Sequence, residues 1–176
     1  TGRVWATEHW QTVPDLLVSG KAVGAGLPYG GVTGKPNFMD APNPGSLGGT
    51  FGGNPAVCAA ALEAVSIVRK AIRGVPRLGR MIRTRLAEMQ EADPHVGDVR
   101  GLGAMWALEL VKDPRTKEPD PDRARAVQLE AMRRGVLLLT AGFYGNCVRL
   151  LPPLTIAPSL LDASLDILAD TLKAAQ

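Results

Sequence analysis

The stretch Asp15-Leu16-Leu17-Val18-Ser19-Gly20-Lys21-Ala22-Val23-Gly24-Ala25-Gly26-Leu27-Pro28 decides how the chain is read. A short apolar run breaks into glycine, and one lysine stands at the break. Leucine and valine between Pro14 and Gly20 predict a buried strand over 15–19. In an open α/β sheet, ligands bind at the carboxyl ends of strands, which is where Lys21 falls. Apolar surroundings disfavour an ammonium ion and so make a usable amine. The plain alternative is a surface lysine in a loop. A second stretch, Pro44-Gly45-Ser46-Leu47-Gly48-Gly49-Thr50-Phe51-Gly52-Gly53-Asn54-Pro55, opens directly into a helix. Glycine lets backbone approach an anion closely, a helix N-terminus favours negative charge, and the Thr50 hydroxyl adds a donor. A simple turn threonine is the other reading.

Outward from these two stretches the periodicity is clear. Asn54 as cap and Pro55 in the first turn start a helix that runs to about Arg73, with Val57, Ala61, Ala64, Val65, Val68 and Ile72 on its apolar face. Gly74 and Pro76 end it. A second amphipathic helix spans about 76–92, with Leu78, Ile82, Leu86 and Met89 inward. The period then changes to that of strands at 96–100 and 104–111, joined at Gly101-Leu102-Gly103. A helix follows over 123–134, then strands at 136–139 and 147–151. A last helix starts at the capping-box-like Ser159-Leu160-Leu161-Asp162 and aligns Leu161, Leu165, Leu168 and Leu172. Between Gly24 and Gly53, glycine and proline recur too often for a long regular element. One short strand fits at Gly31-Val32-Thr33.

Composition narrows the class. The chain has 176 residues, 45% of them hydrophobic, with a net charge of +3, as in an ordinary globular protein. Its basic residues are dispersed, without a stripe of arginines and aromatics, which argues against nucleic-acid binding. The charge-free segment 41–62 is rich in Gly, Pro and Asn and does not read as a membrane span. Cys58 and Cys147 lack metal-ligand spacing. Cys58, in Ala56-Val57-Cys58-Ala59-Ala60, is expected to be a buried inert thiol, which suits a reducing, cytoplasmic setting.

The order and spacing of Pro14-Asp15-Leu16, Ser19-Gly20-Lys21, Gly26-Leu27-Pro28, Gly31-Val32-Thr33-Gly34 and Gly48-Gly49-Thr50-Phe51-Gly52-Gly53-Asn54-Pro55 resemble the class III pyridoxal-phosphate aminotransferases, and most of all the branch that uses 4-aminobutyrate. Gly30 departs from a serine that many relatives carry before Gly31-Val32. The resemblance covers essentially the whole chain. It implies an α/β, aspartate aminotransferase-like fold (fold type I) and the C-terminal part of a longer subunit. Residues 1–74 would be the end of the large cofactor-binding domain with its connecting helix, and 75–176 a small α+β domain.

It further implies transamination from an ω-amino acid, 4-aminobutyrate first and an ornithine-type donor second, to 2-oxoglutarate. A folded fragment without catalytic activity is the rival from another class. Lys21 would be the catalytic lysine that joins pyridoxal 5'-phosphate covalently. Thr50 would bind the cofactor phosphate of a neighbouring subunit in a homodimer or dimer of dimers. The resemblance also implies that the remaining phosphate donors, the ring-stacking aromatic and the acidic partner of the ring nitrogen precede Thr1, and that residues 1–176 by themselves leave apolar surface exposed around Asp15 to Ser19 and on the Val57–Val68 face. No metal and no membrane are implied.

Arg149, in Val148-Arg149-Leu150-Leu151, is a lone arginine in an apolar strand and needs an anionic partner. The resemblance makes that partner a substrate carboxylate. A structural ion pair with Glu109 or Asp98 is the alternative, and Arg100 reads as structural.

Overall fold

A computed structural model describes residues 1–175. The chain divides into two compact units, one of residues 3–72 and the other of residues 1–2 together with 73 onward.

In the first unit, strand β1 (Leu16–Gly20) pairs antiparallel with β2 (Gly30–Gly34), Leu16 opposite Gly34 and Gly20 opposite Gly30. A 3-10 turn (Lys21–Gly24) leaves β1, and the one-turn helix α1 (Pro36–Met39) follows β2. Helix α2 (Pro55–Ala71) packs against the Lys21–Gly24 turn. Its cap is the expected one, with Asn54 Oδ1 accepting from the amides of Ala56 and Val57 at 3.0 and 3.3 Å.

Two expectations fail here for a common reason. The burial read from the apolar run alone is not seen, since Val18 is 77% exposed and Leu16 lies open as well, which is the exposure the resemblance implies for these residues by themselves. Cys58 is exposed, not buried. A two-stranded ribbon carries no second layer of its own, and α2 meets the turn through only part of its surface. Ala61 is the one apolar side chain of this unit, among the described residues, that is buried.

The second unit is a four-stranded antiparallel sheet in the order β3-β4-β6-β5, formed by Val96–Leu102, Met105–Leu110, Cys147–Leu150 and Leu139–Ala141 respectively. Helix α3 (Val75–Ala92) lies on β3 and β4, and α4 (Pro121–Arg133) lies on β4, β5 and β6. Helix α5 (Pro158–Ala174) packs against both helices. The inward residues read from the sequence in α3 and α5 are all buried, as are Leu108, Leu110, Val148 and Leu150 of the sheet.

Residues 136–138 do not form the expected strand, which begins only at Leu139. They are held by the exit of α4, where Gly135 adopts φ +87°. Its amide donates to the Met132 carbonyl at 3.0 Å, and the Val136 amide donates to the Ala131 carbonyl at 2.9 Å. This is a Schellman ending, and it uses Val136 to close the helix. The last helix starts at Pro158 without a side-chain cap, one residue ahead of the expected capping box.

Inside this unit Arg123, at the start of α4, donates to Asp93 at the end of α3 and, at 3.0 Å, to the Leu172 carbonyl in α5. Both side chains of the ion pair are only 7% exposed.

Candidate active site

Lys21 follows β1 directly and begins the 3-10 turn with φ +52°. The left-handed region is unfavourable for a residue with a Cβ, and such strain gathers at functional positions. The side chain is exposed, and its Nζ has no hydrogen-bond or ion partner among the described residues. The expected apolar enclosure is therefore not supplied by this unit. Lys35, at the other end of the ribbon, is engaged, donating to Asp15 Oδ1 at 2.6 Å.

The glycines around Lys21 have a steric reason that the sequence did not disclose. The Tyr29 ring lies back across the ribbon, and its hydroxyl is 3.3 Å from Ser19 Oγ. A Cβ on Gly31 would come within 2.5 Å of that hydroxyl, and one on Gly24 within 2.6 Å of the Tyr29 Cβ. These glycines seat an aromatic against the strand that presents Lys21. Tyr29 went unnoticed because a single tyrosine after Leu27-Pro28 has no distinctive spacing.

Thr50 is exposed in the turn that leads to α2. Two amides of the first turn of α2 are already taken by Asn54, so the helix start offers fewer donors to an anion than its position suggests. What the first unit brings toward a cofactor is an unpaired amine and a hydroxyl, with α2 packed on the turn that bears the amine.

Arg149 belongs to the second unit. On β6 it stands opposite Ala107 of β4 and Leu139 of β5, on the sheet face away from the helices. Its Nε is buried without an acceptor, and its guanidinium makes no ion pair among the described residues. The alternative pairing with Glu109 or Asp98 does not occur. Both carboxylates go to Arg100, whose Nη1 lies 2.7 Å from Asp98 Oδ2 and 2.5 Å from Glu109 Oε2. Hydrogen bonding to Asp98 and then Glu109 holds the Arg100 guanidinium protonated well beyond its ordinary range. An arginine donor buried without a partner is costly, and its planar fork matches a carboxylate.

The model of the aminotransferase class-III family matches residues 1–172, and the chain belongs to that family. It is 48% identical over 174 residues to the 4-aminobutyrate aminotransferase of Mycobacterium leprae, covering 98% of this chain and 39% of the relative. It is 40% identical over 172 residues to the 5-aminovalerate aminotransferase DavT of Pseudomonas aeruginosa, covering 97% and 40%. A solved structure, the PMP-bound form of an aminotransferase from Vibrio fluvialis, superposes with a TM-score of 0.86 at 29% identity over 99% of this chain and 41% of that one. The fold is thus the α/β fold type I of pyridoxal-phosphate-dependent transferases. The chain spans about two-fifths of the length of the curated relatives it matches. Among the described residues, no helix is long and apolar enough to cross a membrane, and no cluster of metal-ligating side chains occurs.

Proposed function

We propose that the chain is the C-terminal part of a subunit that transfers the amino group of an ω-amino acid, 4-aminobutyrate, to 2-oxoglutarate with pyridoxal 5'-phosphate as cofactor. Residues 1–74 complete the large domain, and 75–176 form the small one. The cofactor, when bound, supplies an electron sink for the substrate carbon. Lys21 Nζ would hold its aldehyde carbon and, as a free amine, would take a proton from that substrate carbon and deliver it to the cofactor's aldehyde carbon. Thr50 would donate its hydroxyl to the cofactor phosphate across a subunit interface. Arg149 would take a substrate carboxylate through its fork.

The observation that carries this reading is Lys21. Among the described lysines it alone combines a left-handed backbone with an unpaired amine. Lys117 shares the positive φ, but its Nζ donates to the Gly97 carbonyl at 3.0 Å. In a subunit of the relatives' length carrying this sequence, borohydride reduction with the cofactor and peptide mapping should place the label on Lys21. Label recovered on Lys35 or Lys70 would overturn the assignment. The name of the Pseudomonas aeruginosa relative favours 5-aminovalerate as a second donor. Comparison of kcat/KM for 4-aminobutyrate, 5-aminovalerate and ornithine decides between them.

Residues 1–176 alone should not transfer amino groups, because they offer the cofactor one amine and one hydroxyl while Asn54 occupies the adjoining amides. Measurable turnover from 4-aminobutyrate to 2-oxoglutarate by these residues would refute that part of the reading.

A further inference from the structure

The sheet face that bears Arg149 holds two arginines and two carboxylates within two adjacent rows. Arg100, Ala107, Arg149 and Leu139 form one row across β3, β4, β6 and β5, and Asp98, Glu109, Cys147 and Ala141 form the next. Adjacent strands lie about 4.8 Å apart, so Arg100 and Arg149, two strands apart, do not meet. Glu109 stands between them. It is the same-face diagonal neighbour of Arg149 on the adjoining strand, within reach of a long side chain.

The carboxylate nevertheless turns the other way. Glu109 Oε2 receives Arg100 Nη1 at 2.5 Å and lies 3.8 Å from Cys147 Sγ, while Arg100 Nη2 points to the same sulfur at 3.3 Å. Asp98 takes the same Nη1 at 2.7 Å. Arg149 is left between Ala107 and Leu139, neither of which has a side-chain acceptor, with its buried Nε unpartnered.

We propose that Arg100 is a positioning residue that holds Glu109 away from Arg149 and so keeps the Arg149 guanidinium open to a substrate carboxylate. This inference rests on the reading of Arg149 as a carboxylate site. Without the Arg100 guanidinium, Glu109 loses its cationic partner, and Arg149 is its diagonal neighbour on the adjoining strand. An internal carboxylate would then compete with the external one. The competition weakens binding without changing the groups that carry out the chemistry.

The test is calorimetric titration with glutarate, a dicarboxylate with no amino or oxo group to react. It uses the cofactor-loaded subunit of the relatives' length carrying this sequence. Arg100→Met should weaken glutarate roughly two- to fivefold, the scale of a partly exposed charge pair. Arg100→Met/Glu109→Gln should restore binding to near the parent value, and Arg100→Lys, which can still hold Glu109, should stay near it throughout. With amino donor and 2-oxo acid, Arg100→Met should raise KM while kcat at saturation holds. The proposal is overturned if Arg100→Met binds glutarate as the parent does, or if the double variant is as weak as the single one. Arg149→Met separates the two levels. If it leaves glutarate binding unchanged, the carboxylate-site reading fails and the proposal falls with it. If it weakens binding while Arg100→Met does not, only the role of Arg100 is refuted.

Discussion

The two units are built from similar amphipathic patterns and end in opposite states. In residues 73–175, Ile82, Leu86, Leu108, Leu110, Val127 and Val148 are fully enclosed between one sheet face and the helices. In residues 3–72, Leu16, Val18, Phe51, Leu62 and Ile67 lie open. The difference is in layers. Four strands with helices on one face close a core, whereas a two-stranded ribbon with one long helix leaves apolar faces without cover. Exposed apolar surface of this extent marks a place for another surface to bind. The residues read as cofactor-binding, Lys21 and Thr50, sit on the open unit, and the residue read as carboxylate-binding sits on the closed one.

The sharpest break in this contrast would come from the buried ion pair. Arg123→Leu leaves Asp93 enclosed without its guanidinium and should destabilise the second unit by about 3–5 kcal/mol in urea unfolding. A loss under about 1 kcal/mol would mean that water reaches the site. Ile82→Ala, at a fully enclosed position, should cost about 3 kcal/mol. Leu62→Ala, 75% exposed, should change stability by no more than about 0.5 kcal/mol, and equal effects of these two would erase the distinction. Asn54→Ala should remove about 1 kcal/mol of cap energy from α2, visible as faster hydrogen exchange at the Ala56 and Val57 amides.

The two thiols report the contrast most gently, because each unit carries one. Cys58 should react with a small alkylating agent in the native chain, and Cys147 only when the second unit opens. Burial pushes the Cys147 thiol up. Its protonated form is therefore favoured in the folded state, and the associated stability is present below the ordinary thiol range. It is lost as pH rises through the raised folded value. A second-unit stability that is flat or rising across that alkaline window would contradict this sign.

Much of the fold was legible in the sequence. The α2 cap, the inward faces of α3 and α5 and the β3–β4 hairpin follow from periods and caps, which are local. The failures came where burial had to be inferred from pattern. An apolar run such as Leu16-Leu17-Val18 states what could be covered, not that a covering layer is at hand, and Cys58 was misplaced for the same reason. Val136 was misread because its strand-like neighbours concealed its hydrogen bond to Ala131. The arginine of interest stood out as a lone charge in an apolar strand. Its lack of a partner did not, because the competition between Arg100 and Arg149 for Glu109 depends on the register of three strands.

The contact of Arg123 with both Asp93 and the Leu172 carbonyl has a consequence for the order of events during synthesis. Its partners lie 30 residues before it and 49 residues after it. Chains are made N-terminus first, so Asp93 and Arg123 both precede Leu172. A nascent chain lacking α5 can pair the two charges but cannot roof them. Helix α5 is thus the element that seals this pair, and until it arrives the growing chain keeps a hydrated ion pair where the folded unit has an interior.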